Sequence, residues 1–300
     1  MKLSIRSFRM TPLLAPAFIL MFLSASAGLA QQVRVLPAEV KETRTTGSFF
    51  GGLEVQLKVL GDVLADAKAI RLLLTTAVDE TGRNIINEKE TETDFKEIDE
   101  YERNAAKIDI KLKTPARQAM HVREITGSFE IFVPAKDPAS TITITGIQKS
   151  TGTPISAPAL KAAGIEITMW TKQQFEARRK AEEEKLKKAQ KADEANLGEA
   201  LGEALTKVFG GLFGSLDNLS DNSIAFQIKD PQSMLVGIEF LDDKGATISG
   251  SRFTSGSPKD QTRIHDFDEK LPETTRVRLY VLTLRSVIKT PFKLNNIPLP

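Results

Sequence analysis

From Val33 to about Met169 apolar and polar residues alternate with a period of two, in "LEVQLKV", "IDIKLK", "FEIFV", "TITIT" and "IEITM". Such alternation gives a strand one buried face and one wet face, and the β-branched content suits a pleated surface. The run "AIRLLLTTAV" is more continuously apolar and reads as a central strand. This region predicts an antiparallel β-sandwich. The signature returns after residue 222 in "SIAFQIK", "LVGIEFL", "TRVRLYVLTL" and "PFKLNNIPLP", enough for five or six strands of a second, smaller sandwich.

Each region carries a matching turn, "VDETGRNI" from Val78 and "LDDKGATI" from Leu241. An Asp opens each turn, and a Gly three residues later can take the left-handed backbone at the hairpin exit. The two strings agree at three of eight positions. Recurring turn chemistry accounts for that agreement, with duplication as the competing account.

Between the two β regions lies "TKQQFEARRKAEEEKLKKAQKADEANLGEALGEALTKV", which has no proline and is rich in helix formers. Thr171 with Gln174 matches a capping box, and Glu183 with Lys187 has the favourable four-residue spacing. An unbroken helix from Thr171 to Leu216 would be about 70 Å long. Its first half is charged residues and alanine. In the second half Leu197, Leu201, Leu205, Val208, Leu212, Leu216 and Leu219 draw one apolar stripe. Leaving that stripe in water would forgo on the order of 10 kcal/mol, so it needs a partner, and it is the candidate interface of the sequence. Docking on the chain's own β domain, with a break near Gly210 and Gly211, is the preferred reading. Self-association or a protein partner is the second. A lipid surface is disfavoured because Glu199, Glu203 and Asp217 oppose a single Lys207.

The predicted fold is therefore mainly β: two antiparallel, immunoglobulin-like β-sandwich domains joined by a long helix, charged and then amphipathic. The boundaries are 31–170 for the first domain, 171–219 for the helical linker and 220–300 for the second domain. Residues 1–30 place Lys2, Arg6 and Arg9 before an uncharged apolar run that closes on small residues, the layout of a cleavable secretory signal. A periplasmic or secreted bacterial protein is expected, with no membrane contact after cleavage.

That leader holds three of the 41 basic residues and none of the 39 acidic ones, so the remainder sits one negative charge from neutrality. A near-neutral chain has no global field to gather nucleic acid, and no nucleic-acid partner is expected. Cysteine is absent, which excludes disulfides, thiol catalysis and cysteine-ligated metal.

Candidate chemistry is sparse. There is no "GxSxG" elbow, P-loop or dinucleotide fingerprint, and "SVIK" at Ser286 lacks the companion motifs of penicillin-recognising enzymes. His121 and His265 lack a second ligand at metal spacing, although His265 sits beside Asp266 and Asp268 in "RIHDFDEK". No cofactor, metal or catalytic residue is assigned. Acidic residues cluster from Glu88 to Glu102 and bases follow from Lys107 to Arg123. The preferred reading is solvated surfaces that answer each other's charge. The alternative is a carbohydrate-active or other hydrolase accessory protein that uses the carboxylates. Trp170 reads as a hinge-packing residue between the first domain and the helix rather than a sugar platform.

At "LADAKAIRLLLTTAVDETGRNI", "LKTPARQAMHVREITGSFEIFV", "ALKAAGIEITM" and "PFKLNNIPLP" the chain resembles a group of secreted bacterial proteins of unknown function built from β-sandwich modules. The resemblance implies fold and compartment and carries over no active-site residue. The expected function is non-catalytic: two β-sandwich modules on a helical spacer that bind, position or brace an envelope partner.

Overall fold

The computed structural model describes residues 33–44, 51–146, 151–190 and 220–300. Alternation becomes strand as the pattern predicts. In β2 (Gly52–Leu60) Leu53, Val55, Leu57 and Val59 are buried while Glu54, Gln56 and Lys58 occupy the opposite face. The protein is mainly β, with antiparallel sheets throughout.

Among the described residues four sheets enclose two cores. The first core lies between the sheet β1 (Arg34–Thr43), β2, β5 (Ala105–Leu112) and a sheet that contains β3 (Ala69–Asp79) and β6 (His121–Phe132). Ile110 of β5, Leu72 of β3 and Ile125, Phe129 and Ile131 of β6 fill it. The two-residue β4 (Lys96–Glu97) flanks β3, and β14 (Val287–Pro298) flanks β6. The second core lies between β8 (Glu166–Thr171), β9 (Ile224–Lys229), β12 (Asp260–Asp266) and β11 (Ser251–Ser257) on one side, and β7 (Thr141–Ile144), β13 (Arg276–Val281) and β10 (Leu235–Leu241) on the other. Ile167, Phe226, Phe240, Val277 and Leu279 fill that one.

The sheets do not respect the predicted boundaries at residues 170 and 220. β7 and β8, which precede the helix, pair with β13 and β9, which follow it. β14, at the end of the chain, pairs with β6 over Val287↔Phe132 to Pro298↔His121. Strand pairing thus crosses the boundaries of the expected partition into 31–170 and 220–300. Alternation reports which face of a strand is buried, and it is silent on which neighbour supplies the hydrogen bonds.

Both Asp-opened turns form as expected. Asp79 accepts from the Thr81 and Arg83 amides at 2.9 and 3.0 Å, and Asp242 from those of Lys244 and Ala246 at 2.9 and 2.7 Å. The glycines stand in the left-handed region, Gly82 at φ 87° and Gly245 at φ 90°.

Two α-helices are present among the described residues, α1 (Pro158–Ala162) and α2 (Lys172–Gln190). The capping box is made: the Gln174 amide donates to Thr171 Oγ1 at 3.3 Å, and the Thr171 amide to Gln174 Oε1 at 3.1 Å. Phe175 is buried, and the Arg178 guanidinium lies 4.8 Å from the centre of the Trp170 ring, so Trp170 does pack where strand meets helix. α2 has 19 residues and spans about 28 Å, and no longer helix occurs among the described residues. Its predicted remainder, the break near Gly210 and the stripe Leu197, Leu201, Leu205, Val208, Leu212 and Leu216 all lie outside the described residues.

Gly127, in the middle of β6, is required by a close approach. An added Cβ would sit 2.5 Å from the Leu73 carbonyl oxygen and 3.0 Å from the Phe292 ring. Opposite it β3 shifts register between Leu74 and Thr76, which draws the β3 backbone toward β6. Gly127→Ala should cost about 1 to 3 kcal/mol, measured by chemical denaturation. An unchanged midpoint would contradict this packing.

Candidate functional site

The groups that converge do so where the two cores adjoin. A third, small cluster joins Ala69 of β3 and Phe132 of β6 to Val236 of β10 and Tyr280 of β13, with Phe95 packed against it. Phe132 meets Phe95 and Tyr280 edge to face, with centroids 6.4 and 6.1 Å apart.

Beside this cluster Glu239 of β10 gathers four donors. Lys68 Nζ and Thr247 Oγ1 reach Oε1 at 3.0 Å each, while the Tyr280 hydroxyl and Arg278 Nη1 reach Oε2 at 2.6 and 3.2 Å. Burial opposes the Glu239 charge, but the hydrogen bonds from Tyr280 and Lys68 and the Lys68 charge outweigh it and hold the carboxyl below its usual range. Burial and the bond to Glu239 push the Tyr280 phenol up, which keeps it a donor. Arg252 of β11 pairs with Glu97 of β4, a second ionic tie between the cores.

Two recesses open at this junction, of about 870 and 440 Å³. Glu97, Val236 and Arg252 line both. Lys68, Glu239 and the exposed Tyr101 contribute to the larger one, and Arg71, Gln261 and Arg263 to the smaller. Arg71 is neutralised by Glu130 and Glu92, each at 2.7 Å. Arg263 differs. Its Nε donates to Gln261 Oε1 at 2.9 Å, and Gln261 is held in turn by a bond from Nε2 to the Pro258 carbonyl at 3.1 Å. No carboxylate pairs directly with Arg263 among the described residues; Glu97 and Asp230 act on it only at a distance.

Acids of the Glu88–Glu102 stretch pair with one base of the following basic stretch, Lys113, and otherwise with bases outside that basic stretch. Glu88 bonds Lys113 at 2.6 Å, Glu92 bonds Arg71, Glu97 bonds Arg252, and Glu102 bonds Lys96 at 2.8 Å. The Ser286 hydroxyl donates to the Thr283 carbonyl at 2.9 Å and belongs to a turn. His121 stands 3.3 Å from Glu80. No group of three or more metal-ligating side chains occurs among the described residues. His265 and Asp266 face opposite sides of β12: the imidazole lies among Phe226, Phe240 and Phe267, and Asp266 accepts from the Ser220 and Ser223 hydroxyls at 2.6 Å each.

Arg263 was missed in the sequence. In "DQTRIHD" the apolar Ile264 suggests that Thr262 and Ile264 face inward, whereas Gln261, Arg263 and His265 stand opposite Ile228, Phe226 and Ile224 of β9. Phe226 and Ile228 belong to the second core, so these three polar residues share its face of the sheet. Only the register reveals that.

Burial, together with the charges of Arg252 and Arg263, pushes the His265 imidazole down to about 3, and its Nε2 has no hydrogen-bond partner. The unfolded chain binds a proton below the ordinary value of 6.5, whereas the folded chain declines it until about 3, so this group removes stability as the pH falls below 6.5. The wild type should lose roughly 2 kcal/mol from this group between about pH 7 and pH 5, and His265→Leu should flatten that slope in denaturation curves at the two pH values. Equal slopes in the two proteins would contradict the buried neutral imidazole. Comparison with protein-family models found no match, and no curated protein sequence matches the chain.

Proposed function

We propose that the protein is a non-catalytic periplasmic or secreted binding protein. In this reading two immunoglobulin-like β-sandwich modules are fastened into a bracket whose ligand site is the recess at their junction. The ligand is a carboxylate-bearing segment of an envelope partner. The observation that carries the reading is Arg263, a permanent cation at the wall of a 440 Å³ recess with no directly paired carboxylate among the described residues. Thr254, Ser257 and Gln261 line the same recess and supply further hydrogen-bonding groups. A carboxylate seated there would gain charge-assisted bonds in a partly dehydrated setting.

The hydrolase-accessory alternative is less well supported. It requires a carboxyl that stays protonated near neutral pH. Glu88 is instead held below its usual range by the hydrogen bond and charge of Lys113, and Glu239 by its donors. Both are suited to staying charged.

Isothermal titration with hexaglutamate at low salt tests the proposal. The wild type should bind, and Arg263→Gln should weaken binding at least about tenfold, the loss of one charge-assisted contact. Hexalysine should give no comparable signal. Absence of binding to the wild type, or equal binding by Arg263→Gln, would overturn the proposal.

A further inference from the structure

The sheet orders repeat along the chain. Strands β1, β2 and β5 form one sheet in that order, and the strands seven places later, β8, β9 and β12, form another in the same order. β3 pairs with β6 as β10 pairs with β13, and all these pairings are antiparallel. The correspondence reaches single residues. The turn after β3 and the turn after β10 bond alike: Gly82 to Asp79 and Gly245 to Asp242 at 3.0 and 3.3 Å, Ile85 to Ala77 and Ile248 to Phe240 at 3.0 and 2.8 Å. Isolated bridges, Val78↔Asn84 and Leu241↔Thr247, close both. On the equivalent strands β2 and β9 the sequence runs Val55-Gln56-Leu57-Lys58 and Phe226-Gln227-Ile228-Lys229. Turn chemistry alone explains neither the shared strand order nor this second echo; duplication of a seven-strand unit explains both.

Two strands break the correspondence in each unit: β4 lies beside β3 whereas β11 lies beside β12, and β7 and β14 are exchanged. By position β7 should lie beside β6, and β14 beside β13. Instead β7 lies beside β13 and β14 beside β6. The chain leaves β6 at Phe132 and β13 at Val281, and the two connecting segments, 133–140 and 282–286, meet as they cross. The Val133 amide donates to the Ser286 carbonyl at 2.7 Å, and the Thr283 hydroxyl to Asp137 at 2.7 Å. Each unit is thus completed by the last strand of the other.

We infer that the flank of β6 is a strand-accepting surface, and that a second copy of this chain can fill it with its own β14. The contacts that hold β14 are indifferent to its origin: the ladder along β6, Phe292 stacked on Phe129 at 4.9 Å, and Lys293 paired with Glu124 at 2.5 Å. Only the connecting segment favours the strand of the same chain. A connector of this length sets an effective concentration in the millimolar range, so refolding near that concentration makes exchange between chains competitive.

The absence of cysteine permits a direct test. Thr126 and Lys293 are paired across β6 and β14, and neither is buried. A Thr126→Cys/Lys293→Cys chain should form an internal disulfide when oxidised as a monomer, which verifies the register. Thr126→Cys chains and Lys293→Cys chains are then mixed, unfolded, refolded together at about 1 mM and at about 1 µM, and oxidised. A disulfide joining one chain of each kind, with a doubled mass by light scattering, is expected only after concentrated refolding. Monomers alone at both concentrations, or failure of the internal disulfide, would overturn the inference.

Discussion

Backbone pairing along β6 is the constraint on which the rest of the structure depends. β6 carries a row of amides and carbonyls on each side and, left open, either row would be an unsatisfied and adhesive edge. β3 closes one side and β14, from the far end of the chain, closes the other. The exposed edge passes to β14, which is blunted by Lys289, Pro291 and Lys293. A strand that must travel from one unit to the other also carries the connecting segments across the junction, and that crossing brings Phe132 and Tyr280 together.

Once the two units are tied in this way, the junction becomes a place where polar groups can be held in fixed relation. Glu239 remains charged because Lys68, before β3, and Tyr280 and Arg278, on β13, arrive together around it. The two recesses open beside it. Arg263 stands half-buried near a core face at the wall of the smaller recess, without a directly paired acid among the described residues; burial opposes its charge, and Glu97 and Asp230 support it from a distance. His265, one step deeper on the same face, takes the other solution and gives up its charge.

Much of the local structure was legible in the sequence. Alternation located the strands, Asp79 with Gly82 and Asp242 with Gly245 located two turns, and Thr171 with Gln174 located the start of α2. These are signals carried by neighbouring residues. Strand partnership is decided by chain paths over a hundred residues long, and nothing in "TITIT" or "PFKLNNIPLP" says which sheet it will enter. Arg263 escaped for a related reason: both faces of β12 hold buried residues, Ile264 on one and Gln261 and His265 on the other, so parity alone pointed the wrong way. The apolar stripe from Leu197 to Leu216, which promised the interface, lies outside the described residues.

Native-state hydrogen exchange resolved along β6 and β13 tests most directly whether strand sharing makes the two units one. Units completed by each other's last strands must open together, so the most protected amides of both strands should exchange with the same free energy and the same dependence on denaturant. Two distinct free energies, with one strand losing protection at denaturant concentrations where the other keeps it, would contradict the account.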